Sequence, residues 1–577
     1  MSSQLETVIV AIAVRCRRVM DLIAGFKVAI KWLKVSFVIR VLLLFFVLNS
    51  GSFATLTDSF TIGNAKALSL GHAVTADPPG IDSIHYNPAG IVRLRGRQTH
   101  YKVLSGDFSI KLKFGDYIEE RKNLLEGAEE TGNYPDGYFY DEAHNTVSKT
   151  EGATMMLPFV GMTDIPVLLA PLGGMSYSPD NNPRLAFASN VYTPLAAGFN
   201  RAPDDPGRFI GERLSFLLMT YLSPTVAYQF NDHWAVGATL TVNYAGIGLD
   251  LPFRSPHIGI LGLGLAQGEL CENGQPVDGF NIDLCGELGL YDLLGTLSFE
   301  VEKTMTFGFN FGVLWTPNSW FSAGFVYQSK VSMDMKGDFS WENSDTWNNF
   351  LLPILSTDEY AYAEDLVSVF GWSLPQQEPS GGTHGSASIK MKMPEHYALG
   401  VSVQVTPKIK VNLDAKFTGW SVWQEIPVKF SEAIDFMRIS EIVQPSLSTR
   451  NSLTFPLGLK DTWNYGIGIE YQWKDNLVLR AGLETRPTSI PEESESPLLP
   501  MGEGTFYGFG FGRQLDEKSQ LDVGIGYFSS STDMPGGSSR LGNSTDPTLV
   551  IYNPYAGTDI EADLTMFLLE MSYSKRY

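Results

Sequence analysis

Hydrophobic and polar positions alternate with period two in many separate stretches of this chain. In Leu521-Asp-Val-Gly-Ile-Gly-Tyr527, Leu521, Val523, Ile525 and Tyr527 share one face, and Asp522, Gly524 and Gly526 the other. The same rhythm sets Phe307, Phe309, Phe311 and Val313 opposite Gly308, Asn310 and Gly312. It sets Trp234, Val236, Leu240 and Val242 opposite Gly237, Thr239 and Asn243, and Tyr507, Phe509 and Phe511 opposite Gly508, Gly510 and Gly512. Period two predicts strands, because successive strand side chains point to opposite faces. A soluble sandwich also alternates, with a core face and a solvated face. Here the second face is rich in Gly and poor in Lys and Glu, and Trp or Tyr stands near strand ends (Trp234, Trp315, Trp320, Trp473, Tyr527). That is the pattern of a lipid-facing band with aromatic girdles around a polar lumen.

Turn lengths give the topology. Short polar turns stand at Asp180–Pro183, Asn231–His233, Thr316–Ser319, Thr406–Lys408, Lys474–Asn476 and Leu515–Lys518, and long loops lie near 115–165, 200–220, 252–303, 336–395, 424–462, 486–504 and 529–561. Counting back from a closing strand at Ala562–Tyr577 yields 14 strands, the first near Gln98–Phe114, with both barrel ends on the short-turn, periplasmic side. The expected fold class is therefore all-β, a transmembrane antiparallel barrel over residues 98–577. The closing strand carries Phe567, Leu569, Met571 and Tyr573 on one face and ends on Tyr577. A terminal aromatic resembles the signal recognised by outer-membrane assembly machinery; Lys575 on the apolar face departs from it and would have to snorkel to the interface.

The N-terminus reads differently. Residues 1–54 hold seven basic residues and two acids, and Val41–Leu48 is an apolar run after Arg40, followed by Ser52-Phe-Ala54. This predicts a long export leader cleaved after Ala54, with an uncleaved anchor as the alternative; the uncharged run is shorter than a spanning helix needs. Beyond residue 54 the best apolar run, Ile165–Pro179, is broken by Pro166, Pro171 and Gly173-Gly174. Export without later membrane helices leaves a closed barrel as the structure that satisfies every backbone group in lipid. The 577 residues include 42 basic and 63 acidic ones, a net charge of -21, which argues against nucleic acid as a partner. Only 18% of residues are charged, below the usual soluble share, while 44% are apolar.

Residues 55–97 do not alternate. Ala65–Ala73 is rich in small residues, and Asp77-Pro-Pro-Gly80 and Tyr86-Asn-Pro-Ala-Gly90 follow. At this point the chain resembles the FadL/TodX family of outer-membrane transporters for long-chain fatty acids and other hydrophobic molecules. The resemblance starts at the Asn-Pro-Ala-Gly turn of an N-terminal hatch. It continues in family order through Ser223–Tyr228, Phe307–Trp315, Ala323–Ser329, Met393-Pro394 with Leu399-Gly400, Leu413–Ser421, Leu479–Gly482 and Leu521–Gly524. It covers nearly all of the chain after the leader. The long leader, the loops around 336–395 and 424–462 and the acidic excess depart from the family pattern.

The resemblance implies a plugged barrel in the outer membrane, surrounded by lipid and lipopolysaccharide. It also implies passive uptake: capture in an outer apolar groove, transfer to an interior pocket, rearrangement of a hatch over 55–97, and exit through a side opening where the third strand kinks. Asn87, Pro88, Ala89 and Gly90 would form the hatch turn, with Pro88 fixing its backbone and Gly90 permitting a tight turn; a plain turn is the alternative. Pro194 and Gly198 suit the side opening, because Pro lacks a ladder donor and Gly marks bends, although ordinary strand-end residues fit as well. For capture, the 252–303 loop offers Ile258, Leu261, Leu263 and Leu265, and the 336–395 loop offers Phe350, Leu351, Phe370 and Trp372. Alternatively these loops pack on each other and cap the barrel.

By parity Lys330, Asp334, Asp414, Lys416, Glu470, Arg480, Glu484, Asp522 and Glu570 face the lumen. Lys330, Lys416 or Arg480 would answer a fatty-acid carboxylate, or else pair with lumen carboxylates as buried charges must. Cys271 and Cys285 share one extracellular loop, where an oxidising compartment favours a disulfide worth roughly 3 kcal/mol in the chain-entropy model, with two free thiols as the alternative. No Cys-x-x-Cys, His-Glu-x-x-His, Gly-x-Ser-x-Gly or phosphate loop occurs, so no catalytic, metal or cofactor site is expected. An aromatic or alkane hydrocarbon channel, or a structural or adhesive barrel with a fixed plug, are the other functions this pattern allows.

Overall fold

A computed structural model describes residues 63–577 except 166–167, 273–274, 277–283 and 287. The expected leader (1–54) and the first part of the expected hatch (55–62) lie outside the described residues. The period-two stretches are strands, and the 14 expected strands form one antiparallel barrel. Its first half comprises β1 (Arg97–Tyr117), β2 (Leu168–Tyr177), β3 (Leu185–Asn200), β4 (Arg213–Leu222, then Thr225–Gln229), β5 (Trp234–Phe253), β6 (Gly295–Asn318) and β7 (Phe321–Gln328, then Val331–Asn343). The second half comprises β8 (Thr383–Met393, then His396–Thr406), β9 (Ile409–Thr418, then Glu425–Phe430), β10 (Ser452–Pro456, then Thr462–Lys474), β11 (Leu477–Arg486), β12 (Gly504–Gln514), β13 (Ser519–Met534) and β14 (Thr558–Arg576). Each strand pairs with its sequence neighbour, and β14 closes on β1 from Gln98 opposite Arg576 to Tyr117 opposite Thr558. Closure matters because an open sheet edge in lipid would leave backbone groups unpaired.

On the outer wall Trp234, Phe307, Phe309, Trp315, Trp463, Ile469, Trp473, Tyr507, Phe509, Tyr527, Phe567 and Leu569 are exposed, the apolar band that the alternation predicts. Above this band the polarity of the two faces inverts. In β7, Met333, Met335, Phe339 and Trp341 are buried inside while Ser332, Asp334, Lys336 and Asp338 are exposed. In β8, Ala387, Ile389, Met391 and Met393 point inward. In β6, β7 and β8 the inversion is made by breaks in parity, whereas β1 and β14 keep even positions inward throughout and change residue type, from His100 and Lys102 to Ile110 and Leu112 and from Glu570 and Ser572 to Leu564 and Ala562. β6 is buried at odd positions from Gly295 to Val301 and at even ones from Thr306 to Leu314, and its register against β5 shifts between Lys303 and Thr306. β7 breaks between Gln328 and Val331, and β8 between Met393 and His396.

These breaks correct three expectations. Lys330 does not face the lumen: it sits at the β7 break, about half exposed, with Nζ 3.5 Å from Glu395 Oε1. Asp334 points outward, because a break of this kind turns every later side chain to the other face. The loops expected at 336–395 and 424–462 are partly strand, since β7 runs on to Asn343, β8 starts at Thr383, and β9 and β10 resume at Glu425–Phe430 and Ser452–Pro456. The walls thus rise well above the lipid band and enclose an apolar upper lumen in place of a polar one.

Candidate functional site

The chain from Gly63 to Gly96 lies inside the lower barrel as short helical turns, Ala65–Ser69, Ser83–Tyr86 and Pro88–Arg93. Asn64 starts the first by accepting from Ala67 N at 3.0 Å. Small residues dominate because the lumen is narrow: Ala65, Ala67, Ser69 and Ala73 have no exposed surface. Wall glycines supply the remaining room. A Cβ at Gly237, Gly312, Gly324, Gly482 or Gly508 would overlap Pro88, Asn87, Thr75, Leu70 or Leu68 respectively. The face that reads in sequence as small or polar is therefore the seat of the plug, and its glycines permit close backbone approach.

Buried carboxylates pin the plug to the wall. Asp414 Oδ2 of β9 accepts from Val74 N, Thr75 N and Thr75 Oγ1 at 2.9, 2.9 and 2.7 Å. Glu484 of β11 meets His72 Nδ1 at 3.0 Å and is held by Lys416 Nζ at 2.8 Å and Arg486 Nη2 at 2.6 Å. From the plug side, Asp82 accepts from Asn64 at 2.7 Å and Lys102 of β1 at 2.5 Å, and Asn190 of β3 also donates to it. Asp77 binds Lys66, Arg93 and Lys410 at 2.7, 2.9 and 2.8 Å. Such charge-assisted contacts are strong in a low-dielectric interior, and together they tie the plug to β1, β3, β9 and β11.

Above the plug the inverted strand ends enclose an apolar cavity of about 200 Å³. Leu214 and Phe216 of β4, Ile247, Leu249 and Leu251 of β5, Ile389 and Met391 of β8, and Trp423, Phe455 and Leu498 line it. One charged side chain joins them, the fully buried Arg254. Its Nη1 pairs with Asp141 at 2.7 Å and its Nε donates to Pro554 O at 2.8 Å, while Nη2 has no hydrogen-bond partner. Flat aromatic faces from Phe209 and Tyr555 lie 4.3 and 5.0 Å from its guanidinium carbon.

Beside the cavity the wall is thin. β2 pairs with β1 up to Leu168 opposite Gly106, but with β3 only from Gly173–Val191 to Tyr177–Phe187. Higher up, Thr150 N donates to Ile110 O at 3.0 Å and Gly152 bridges Asn200, so among the described residues a window remains between β1 and β3. A second cavity of about 40 Å³ occupies it, and Phe108, Ala197 and Phe216 line both cavities.

The expected residues fall into distinct places. Pro194 lies in a register shift of β3 between Tyr192 and Leu195, and Gly198 lines the window. Asn87 has extended backbone (φ -171), accepts from Ala89 N at 3.1 Å and donates to Thr75 O at 2.9 Å and Val313 O at 3.1 Å. Pro88 opens the helical turn that contains Ala89 and Gly90, all buried; Gly90 packs on Pro78 and Ser83 without a positive φ, so close packing and not turn geometry explains it. Lys416 and Arg480 are buried in ion pairs, Arg480 with Glu470 at 3.0 Å and Asp522 at 2.6 Å.

Among the loop residues, Leu261, Phe350 and Leu351 are buried in the cap, Leu263 is half-buried, and Ile258, Leu265, Phe370 and Trp372 are exposed; none lines the apolar cavity above the plug. Cys271 and Cys285 are joined as a disulfide. Among the described residues no cluster of three or more His, Cys, Asp or Glu is arranged to hold a metal. The cavity residues escaped the sequence reading, although Met333-Asp-Met335-Lys and Ile389-Lys-Met391-Lys-Met393 carry the signal: period two with charges alternating against Met, the reverse of a lipid-facing strand.

Known proteins with this architecture supply a further observation. The chain is 22% identical over 323 residues to the "Long-chain fatty acid transport protein" of Salmonella typhi, a match covering 52% of this chain and 63% of that protein. A solved Pseudomonas aeruginosa FadL homologue superposes with a TM-score of 0.59 at 15% identity, covering 91% of this chain and 99% of that one. The Pseudomonas putida toluene transporter TodX superposes with a TM-score of 0.54 at 13% identity, covering 91% and 100%. A model of the outer membrane protein transport protein family (OMPP1/FadL/TodX) matches residues 47–541, and the chain belongs to that family of the outer membrane.

Proposed function

We propose that this protein carries long-chain fatty acids or similarly hydrophobic molecules passively across the outer membrane. Exposed apolar groups of the cap (Ile258, Leu265, Phe370, Trp372) collect the molecule, the upper cavity holds it, and it leaves sideways past Pro194 and Gly198 while the hatch blocks a straight water path. The observation that carries this reading is the apolar cavity abutting a thin wall at Phe108, Ala197 and Phe216. Burial of an alkyl chain there is favourable by roughly 0.8 kcal/mol per methylene. The names of the relatives support the same class of cargo.

Arg254 favours a carboxylate over a plain hydrocarbon, because its buried Nη2 lacks a partner beside an apolar wall. A toluene-type cargo is the second reading. Lipopolysaccharide surrounds the raised walls, the assembly machinery reads the closing strand, and residues 1–54 serve as the export leader. The test is uptake of labelled oleate by Gram-negative cells lacking their own fatty-acid transporter, with and without this protein. Saturable, protein-dependent uptake is expected; none from a properly assembled barrel refutes the fatty-acid reading and leaves toluene as the next solute.

A further inference from the structure

A β-hairpin, Ala153–Leu157 paired with Gly161–Ile165, belongs to the first extracellular loop yet joins no barrel strand. It lies against the outside of the wall. On β4 the residues lining the cavity are Leu214 and Phe216, so Ser215, Leu217 and Met219 face outward; on β5 they are Ile247, Leu249 and Leu251, so Tyr244, Gly246 and Gly248 face outward. The hairpin covers these outward groups. Met156 N donates to Ser215 Oγ at 2.7 Å, and Met156, Leu217 and Tyr244 are buried together with Met155, Met162 and Met219 against them. A Cβ at Gly246 or Gly248 would stand 2.6 Å from Met156 or 2.8 Å from Met162, and one at Gly198 would overlap Thr154 O. The wall is shaped to receive the hairpin, and Thr154 and Met155 form the outer lining of the window.

We propose that this hairpin is the shutter of the window and that its methionine-lined underside is an exit site for the apolar cargo, delivering it to the outer leaflet. This rests on the transport reading above. A molecule passing between Phe108 and Phe216 reaches Met155 first and would then slide beneath Met156 and Met162. Methionine suits a transient site because its unbranched, flexible side chain repacks around varied shapes. The tip is apolar and exposed: Phe159 is 84% and Val160 71% exposed, with Phe159 in the hairpin turn at a positive φ of 64. Its backbone N lies 3.5 Å from Glu302, just above exposed Met305 and Phe307 on β6, at the upper edge of the lipid band. The polar ties gather at the hairpin's edge and base: Arg213 Nη2 donates to Met162 O at 3.3 Å, and Asn200 exchanges backbone hydrogen bonds with Glu151 and Gly152 at 2.9 and 3.2 Å. The Arg213–Asp164 pair at 3.2 Å is partly exposed and contributes little.

The test is a reversible lock, Met156→Cys with Ser215→Cys, assayed for oleate uptake in oxidised and reduced cells beside wild type and the Met156→Cys single variant. Oxidation of the double variant is expected to lower uptake at least about tenfold, as expected for a gate held shut, and reductant to restore it, with both controls indifferent. Equal uptake in both states of a bridged double variant overturns the shutter while leaving transport standing. Absence of uptake by wild type removes the transport reading and the exit site with it. A second variant, with 155–163 replaced by Gly-Ser, serves should the bridge not form. It is expected to take up oleate at or above the wild-type rate, and a heat-modifiable, assembled barrel that takes up none overturns the proposal.

Discussion

Replacing Asp414 by Ala should release the plug and leave the barrel assembled. One carboxylate oxygen accepts three hydrogen bonds, from Val74 N, Thr75 N and Thr75 Oγ1, in an interior where Asp414 is 2% exposed. Each donor left unpaired costs about 1–3 kcal/mol, and relief of the buried charge together with water entry offsets part of the sum. A net loss of about 3–4 kcal/mol follows, which raises the population of displaced plug by about 10²–10³. The strand itself should persist, because β9 keeps its ladders to β8 and β10. Asp414→Asn keeps a carbonyl acceptor and should lose far less. Planar-bilayer conductance of the purified protein reads the difference, as does sensitivity of intact cells to a large polar antibiotic. If Asp414→Ala conducts no more than wild type while showing the same heat-modifiable barrel, the plug is not held by these bonds and the reasoning fails.

Gly508→Val places a side chain where Leu68 O now lies, so the plug should fail to seat and become cleavable by added protease, whereas Gly262→Val, with open space around it, should change nothing. Arg254→Lys keeps the charge beside Asp141 but loses the planar fork; oleate uptake should fall about tenfold with toluene uptake unchanged, and equal loss of both would make Arg254 purely structural. Burial, helped by Glu492 and Asp533, pushes the Glu495 carboxyl up to about 7 from its ordinary 4.5. A raised acid favours the folded loop while protonated, so the cavity roof at 494–499 should loosen as pH climbs from 4.5 through 7 and stay loosened above. Hydrogen-exchange protection of that loop, corrected for the intrinsic rate at each pH, should show this trend in wild type and a flat profile in Glu495→Gln.

Much of this protein was determined by its sequence alone. Period-two alternation is a local property, so Leu521–Tyr527 or Phe307–Val313 announces a strand, and its lipid face, without reference to any partner. Six short turns and a closing strand then sufficed for 14 strands, because neighbours in sequence pair in an up-and-down barrel. Tertiary structure decided what the inward faces do. Nothing local distinguishes Gly508 as a bed for Leu68 O from Gly508 as a gap in a polar lumen; that depends on a plug more than 400 positions away. Parity could not be carried past the breaks at Lys303–Thr306 and Gln328–Val331, since a break erases the phase on which counting rests, and with it went Lys330, Asp334 and the apolar upper lumen. The cavity joins residues from Phe108 to Pro554, and the hairpin over the window is an alternating stretch like any other until it lies on the wall. Strand identity is written in neighbours one and two residues apart; cavity, plug seat and window arise from contacts between segments that meet only when the barrel closes.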